Sequence, residues 1–313
     1  MFKNYLRIQP PAIQLLILLS FWSVLQILFY SALPTVVKLV SGIQFADFNK
    51  FFAEEIYKYP SLLIGLNATG AIFMFLLPAI IFAYLADPEP RAYLGLVKPN
   101  KPVQIVLIIL LSLALIPVIT IIGSWIKQLN LGDYSNKLDE QRNKVIQSYL
   151  ISGSVTKMLT NVFFIALIPA VCEELFFRGV VQRFAHTWFK KWWISIGISG
   201  LVFAAFHASI SEFVPILMAG LILGWVYYIT GSLWLSILLH LLNNGLQVVL
   251  AYFASGSQDF ENFDKQAISL LSTFAIALVA MIVLIIRLIK NKTPLPNNWT
   301  VVHTETDERA EIQ

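Results

Sequence analysis

Long runs of apolar residues, separated by short polar segments, dominate the pattern along the chain. An α-helix that crosses the hydrocarbon core of a bilayer needs roughly 20 such residues. Eight stretches meet or approach that length: Ala12–Leu33, Ser61–Leu85, Val103–Ile126, Val155–Phe177, Trp192–Ile210, Phe213–Ile229, Leu233–Tyr252 and Ala267–Ile289. Because backbone groups in lipid must be satisfied within the chain, the pattern predicts an all-α, polytopic transmembrane helix bundle with about eight spans.

The polar connections suggest a division of the chain. The segment from Gly42 to Pro60 mixes aromatic and charged residues and is predicted to lie along the membrane interface. The longest polar connection, 127–154, is predicted to contain a surface helix. We therefore divide the chain into the first three spans with this loop, a core of spans four to seven, an eighth span and a polar tail: 1–154, 155–252, 253–290 and 291–313.

Composition agrees with this prediction. Hydrophobic residues make up 58% of the chain and charged residues 13%, and the mean hydropathy is +0.73, whereas soluble domains carry roughly a quarter charged residues. The basic residues lie in clusters between the spans, so the net charge of +4 indicates membrane topology and no nucleic-acid partner. Their bias predicts both termini on the inner side. Short connections and the lack of a cleavable signal favour a bacterial plasma membrane, with lipid as a partner.

A few ionisable or amide side chains interrupt the central spans. The fourth span carries Glu173, Glu174 and Arg178, and the fifth carries His207. The seventh carries His240, with Asn243 and Asn244 close behind it. Such groups are costly in a bilayer, so an ionisable residue within a span is a functional hypothesis by default.

Helical spacing separates the two glutamates. Glu174 and Arg178 are four residues apart, so their side chains meet on one face of the helix. Glu173 is rotated by about 100° and points elsewhere, which leaves one carboxylate paired and one available for chemistry. His240 and Asn244 also share a face. A purely structural role is the alternative to catalysis. The ion pair would then stabilise the fold, and the histidines and asparagines would form hydrogen bonds between helices.

Three motifs carry a family resemblance. Residues 173–178 read EExxxR, residues 203–207 read FxxxH, and residues 240–244 read HxxxN. In this order and on separate spans, they resemble the CAAX protease and bacteriocin-processing family, which includes prenyl-protein endopeptidases. The resemblance covers about 155–252.

The resemblance implies a membrane-embedded endopeptidase and a role for each matching residue. It assigns Glu173 as the carboxylate that activates water and places His207 beside that water. His240 and Asn244 would stabilise the oxyanion, with Glu174 and Arg178 in support, while Asn243 matches no motif position. Peptide hydrolysis needs such an activated water and donors aimed at the developing oxyanion. The implied substrate is a membrane-associated peptide or lipidated protein, prenylated in the best-known cases.

Two mechanisms fit these residues. In a metal-dependent version, Glu173, His207 and His240 hold Zn²⁺, which activates the bound water. In a metal-free version, Glu173 is the general base. The HExxH signature of many zinc proteases does not occur in the chain, and the sequence leaves both versions open.

A non-enzymatic function is the second hypothesis. In a transporter-like or bacteriocin-immunity-type membrane protein, the same buried polar residues would bind an ion or a peptide. Inverted repeats and broken helices would favour a transporter. The sequence contains no clear repeat, although Pro169 lies one turn before Glu173.

Overall fold

The computed structural model describes residues 5–6, 9–129, 131–150, 154–254, 271–293 and 295. Over these residues the secondary structure is helical, with no strand, which confirms the all-α prediction. The loop before the last span and nearly all of the predicted polar tail lie outside the described residues.

Eleven helices of the described residues are numbered here in chain order. They are α1 (Pro11–Ser41), α2 (Phe48–Glu54), α3 (Pro60–Ala86), α4 (Pro90–Tyr93), α5 (Pro102–Lys127), α6 (Asp133–Leu150), α7 (Val155–Phe189), α8 (Trp192–Phe206), α9 (Phe213–Thr230), α10 (Leu233–Ala254) and α11 (Leu271–Lys290). The predicted surface helix of the long polar connection is α6.

Seven of the described helices are long and apolar enough to cross a membrane: α1, α3, α5, α7, α9, α10 and α11. The predicted polytopic bundle is therefore confirmed. The predicted fifth span was wrong at its C-terminal end, because α8 stops at Phe206 and not at Ile210. Its 15 residues span about 22 Å, less than the roughly 30 Å of hydrocarbon. The predicted number of eight spans is reached only if this short apolar helix is included.

Two of the long helices contain a π-helical segment next to a proline. In α3 the segment Ile72–Leu76 ends two residues before Pro78, and in α7 the segment Val162–Leu167 ends two residues before Pro169. Proline lacks an N–H and clashes with the carbonyl four residues earlier, so the hydrogen-bond ladder rearranges there. A second π segment in α7, Phe177–Gln182, has no such proline. It begins three residues after Glu174 and contains Arg178, and π segments occur frequently at functional sites.

Glycines let α8 and α9 pack closely. A Cβ on Gly220 would lie 3.2 Å from the Cα of Gly200 and 3.1 Å from the Phe203 ring. A Cβ on Gly200 would in turn lie 2.9 Å from Leu221. This close approach brings the backbone of α9 against the buried polar residues of α7, as described below.

We expect Gly220→Ala to destabilise the protein by about 1–3 kcal/mol, because the new methyl group meets backbone as well as a ring. The measurement is thermal unfolding of the purified protein in detergent. Gly197→Ala, on the facing helix α8, is the matched control, since its Cβ meets nothing within 4 Å. Equal unfolding midpoints for the two variants would contradict the packing argument.

The segment after α4 fixes the start of α10. The backbone N–H of Leu233 donates to the Gly95 carbonyl at 2.8 Å, and the Ser232 hydroxyl donates to the Val97 carbonyl at 2.7 Å. Gly95 has φ +75°, and a Cβ there would lie 2.1 Å from the Tyr227 hydroxyl oxygen. Only glycine fits this turn, which anchors the end of α10 from which His240 projects two turns later.

Candidate active site

Glu174 and Arg178 form the predicted ion pair on α7. Their side chains are fully buried, with 2.7 Å between Arg178 Nη1 and Glu174 Oε1. The guanidinium also lies 4.5 Å from the centre of the Phe203 ring, within the range of a cation–π interaction. The interpretation of this pair from i,i+4 spacing is confirmed.

Two side chains of α7 also donate hydrogen bonds to backbone carbonyls of α9. Arg178 Nη2 donates to the Gly220 carbonyl and Gln182 Nε2 to the Gly224 carbonyl, each at 2.9 Å. The two donors are four residues apart on α7, and the two glycines are four residues apart on α9. The two hydrogen bonds therefore lie one helical turn apart. A Cβ on Gly224 would come 2.6 Å from Gln182 Oε1. The glycines therefore leave room for the polar side chains of α7.

Glu174 binds three donors. Its Oε1 accepts from Arg178 and lies 2.9 Å from His240 Nδ1, while its Oε2 accepts from Ser236 Oγ at 2.6 Å. Ser236 and His240 lie one turn apart on α10, and both are buried. Because an ionised carboxylate only accepts, the His240 proton in this bond must be on Nδ1. Glu174 thus fixes both the orientation and the tautomer of His240.

Glu173 faces the other nitrogen of the same histidine. Its Oε2 lies 3.9 Å from His240 Nε2, beyond direct hydrogen-bond distance. This oxygen is buried and has no hydrogen-bond partner among the described residues. His240 therefore lies between the two glutamates. Both carboxylate oxygens of Glu174 have hydrogen-bond partners, whereas Glu173 Oε2 has none among the described residues. The predicted division into a paired and a free carboxylate matches this geometry.

His207 caps α8 and does not lie within a span, because the helix ends one residue before it. Its Nδ1 is 2.8 Å from the Phe203 carbonyl and its side chain is exposed. Phe203 connects the two histidines. Its ring centre lies 4.6 Å from that of His207 and 5.7 Å from that of His240. Phe203 is therefore a buried core residue whose ring lies close to the rings of both histidines.

Asn244 lies one turn beyond His240 on α10. Its Oδ1 accepts a hydrogen bond from Asn243 Nδ2 at 3.3 Å, which places Asn243, outside the motif, beside the site. Because Asn244 Oδ1 accepts this bond, the Nδ2 atom of the same side chain is the one that can donate to another group. Its role in oxyanion stabilisation stays a prediction.

The arrangement of the described residues does not fit the predicted Zn²⁺ ligand set. No three His, Cys, Asp or Glu side chains of the described ranges come together as a metal site. Glu173 approaches His240, whereas His207 contacts Phe203. No step below is routed through a metal. Zinc binding stays a prediction, to be checked by measuring the metal content of the purified protein.

Sequence reasoning missed Ser236. A serine in an apolar span is common, and its hydroxyl usually bonds to its own helix. One signal was available, since Ser236, His240 and Asn244 follow each other at intervals of four and so share one face of α10. The partner of that face, Glu174, could not be identified from spacing within α10.

We expect Ser236→Ala to lower kcat and to destabilise the protein by about 1.5–3 kcal/mol, because it removes a hydrogen bond to a buried charged group. Peptidase kinetics and thermal unfolding measure the two effects. Ser112→Ala is the control, since Ser112 is equally buried but bonds only to a carbonyl of its own helix. If both variants cleave at the same rate, Ser236 has no part in the site.

Comparison with known proteins gives one family match. Residues 155–246 match the family described as type II CAAX prenyl endopeptidase Rce1-like. The matched segment begins with α7 and ends in α10, so it contains the EExxxR, FxxxH and HxxxN residues. No curated protein and no solved structure matches the chain significantly.

The family resemblance drawn from the three motifs is confirmed by this match. The segment from α7 to α10 is similar to the CAAX endopeptidase family over the matched residues, and seven apolar helices of membrane-spanning length indicate a multi-pass membrane protein.

Proposed function

We propose that this protein hydrolyses a peptide bond of a membrane-associated, prenylated protein or peptide, with Glu173 as the general base. The observation that carries the proposal is the Glu173 carboxylate. Its Oε2 atom is buried, has no hydrogen-bond partner among the described residues, and faces His240 Nε2 across 3.9 Å. A buried carboxylate oxygen without a partner is costly, and an ionisable residue within a membrane span is a functional hypothesis by default.

In the proposed reaction a water molecule enters between Glu173 and His240 and lies between the two side chains. Glu173 Oε2 and a neutral His240 Nε2 are both acceptors, 3.9 Å apart in this structure. A water that donates to both would direct its oxygen lone pair at a substrate carbonyl. As the new C–O bond forms, Glu173 accepts the water proton, and it delivers this proton to the leaving amine as the C–N bond breaks.

Asn244 is proposed to stabilise the oxyanion, and His240 to orient the attacking water. Glu174 holds the Nδ1–H of His240, so Nε2 of the neutral ring faces the reacting group as an acceptor for that water. The Asn244 amide, one turn away, supplies the donor to the oxyanion. His207, at the exposed end of the site, is proposed to contact the water as it enters.

The short helix α8 supports a supply of water to the site. Its 15 residues are about 22 Å long, and the connection that follows contacts the polar helix α6. His207 is exposed at this point, and water needs such access to reach Glu173.

The test uses the full-length protein in lipid nanodiscs and three peptides. One ends in a farnesylated Cys-aliphatic-aliphatic-X sequence, one is the same peptide without the lipid, and one is an unlipidated transmembrane peptide. Mass spectrometry identifies the bond that is cut, and elemental analysis gives the metal content. We expect cleavage after the farnesylated cysteine and a large preference for that peptide. Cleavage of all three at equal rates would contradict prenyl recognition, and no cleavage of any would contradict the proposed reaction. Location in a bacterial plasma membrane stays a prediction.

A further inference from the structure

The connection between α8 and α9 carries His207 and turns sharply. Ala208 has φ +48°, a left-handed conformation that is unfavourable for a residue with a side chain. Such a conformation persists where the surroundings hold it in place. The contacts that hold residues 207–212 therefore act on the position of the His207 ring together with its own contacts to Phe203.

The surface helix α6 supplies these contacts. Ser211 Oγ donates to Asp139 Oδ1 at 2.7 Å, and Arg142 Nη2 lies 2.9 Å from Glu212 Oε2. Lys127, at the end of α5, lies 3.2 Å from the other Glu212 oxygen. Two adjacent residues of the connection are thus held by two residues one turn apart on α6.

The exposure pattern of α6 shows which face is used. Its described side chains that are not exposed are Ser135, Leu138, Asp139, Arg142, Val145 and Ser148. They follow a helical period and form one inward stripe. Asp139 and Arg142 belong to this stripe. Glu140 and Lys144 form a separate ion pair of 2.8 Å on the exposed face, where a hydrogen bond from Lys144 and its positive charge lower the pKa of Glu140.

We propose that α6 is a strap that positions His207, with Asp139 and Arg142 as positioning residues that act through Ser211 and Glu212. This inference rests on the proposed function, because it assigns His207 a place at the reacting water. The ion pairs of Glu212 are partly exposed, with 26% of its side chain accessible. Such pairs contribute about 0–1 kcal/mol each to stability, so their loss leaves the fold intact and moves the connection.

The first experiment compares Asp139→Ala and Arg142→Ala with the exposed-face control Glu140→Ala. We expect the two strap variants to lower kcat about tenfold to a hundredfold, since a displacement of about 1 Å at a reacting group costs this much. KM should stay near that of the wild type for both variants, and so should the unfolding midpoint of Arg142→Ala. Asp139→Ala leaves the buried Ser211 hydroxyl without its acceptor and should unfold at a slightly lower temperature. Asp139→Asn keeps an acceptor for Ser211 and should restore most of the rate. Strap variants that behave like Glu140→Ala would overturn the proposal.

A second experiment distinguishes a strap from a lid that must open. The pair Asp139→Cys and Ser211→Cys places two thiols at a side-chain contact, and the native cysteine, Cys172, is buried. As an expected result, oxidation to the disulfide raises the activity of this double variant toward that of the wild type. Loss of activity on oxidation, reversed by a reductant, would overturn the proposal.

A third measurement is independent of peptidase activity. Diethyl pyrocarbonate modifies exposed imidazoles, and mass spectrometry gives the rate at His207. The two strap variants should change this rate while Glu140→Ala does not. If the wild type hydrolyses no peptide but this difference holds, the proposed function has failed and the strap has not. If hydrolysis holds but the rates are equal, only the strap has failed.

Discussion

Glu173→Gln should abolish peptide hydrolysis while the protein still folds. The substitution keeps the shape of the side chain but removes the base, and general acid–base catalysis contributes about 10²–10⁴-fold to such reactions. Because Glu173 Oε2 has no hydrogen-bond partner among the described residues, neutralising this carboxylate removes no hydrogen bond of that oxygen. We therefore expect an unfolding midpoint at or above that of the wild type, together with the loss of kcat. Initial rates on the farnesylated peptide and thermal unfolding in the same detergent measure both.

Two controls make this prediction specific. Glu140→Gln removes a carboxylate from the exposed face of α6 and should leave the rate unchanged. Glu174→Gln changes the neighbouring carboxylate and should lower both rate and stability, because Glu174 accepts from Arg178, His240 and Ser236. A Glu173→Gln protein that hydrolyses the peptide at the normal rate would exclude Glu173 as the base. A rate below normal with an equal loss of stability would indicate a structural role.

Arg178→Ala should have the largest effect on stability. The guanidinium is fully buried and binds Glu174 and the Gly220 carbonyl. Its removal leaves the Glu174 charge without its cation, and breaking a buried pair in this way costs about 3–5 kcal/mol. The variant should unfold at a lower temperature and also lose activity, since Glu174 no longer holds His240 in a fixed position.

The comparison that tests this explanation is a double variant, Glu174→Leu with Arg178→Met. Removing both charges is less costly than removing one, because no unpaired charge remains in the interior. The double variant should therefore be more stable than Arg178→Ala while staying inactive. Lys144→Ala, which breaks the exposed pair with Glu140, should leave the unfolding midpoint near that of the wild type, because exposed pairs contribute little to stability. An Arg178→Ala protein as stable as the wild type would contradict the assigned role of the pair.

The sequence predicted the features that depend on one helix at a time. The apolar runs gave the spans, and a spacing of four residues gave the Glu174–Arg178 pair and the separate direction of Glu173. These predictions succeeded because the 3.6-residue period fixes which residues of a helix are neighbours. The same period relates Ser236 to His240, although this relation was missed.

The end of α8 was a different kind of error. The apolar run continues to Ile210, so hydropathy alone placed His207 inside a span. The structure ends the helix at Phe206 and turns the chain through Ala208. This end depends on contacts with α6, through Ser211 and Glu212, and these lie about 70 residues away in the sequence.

The sequence by itself therefore determined that the chain is a helical membrane bundle, and that Glu174 is paired with Arg178 while Glu173 points in another direction. Only the tertiary structure decided that Glu174 also holds His240 and Ser236, that Glu173 faces His240 Nε2, and that His207 lies in a connection held by α6. The physical reason is the solvent. Helices that span lipid are apolar on nearly every side. The distribution of polar residues along the sequence therefore does not indicate how each helix is rotated or shifted against its neighbours. Close backbone contact at Gly200 and Gly220, and the hydrogen bonds of Arg178 and Gln182, fix that arrangement once the helices have packed.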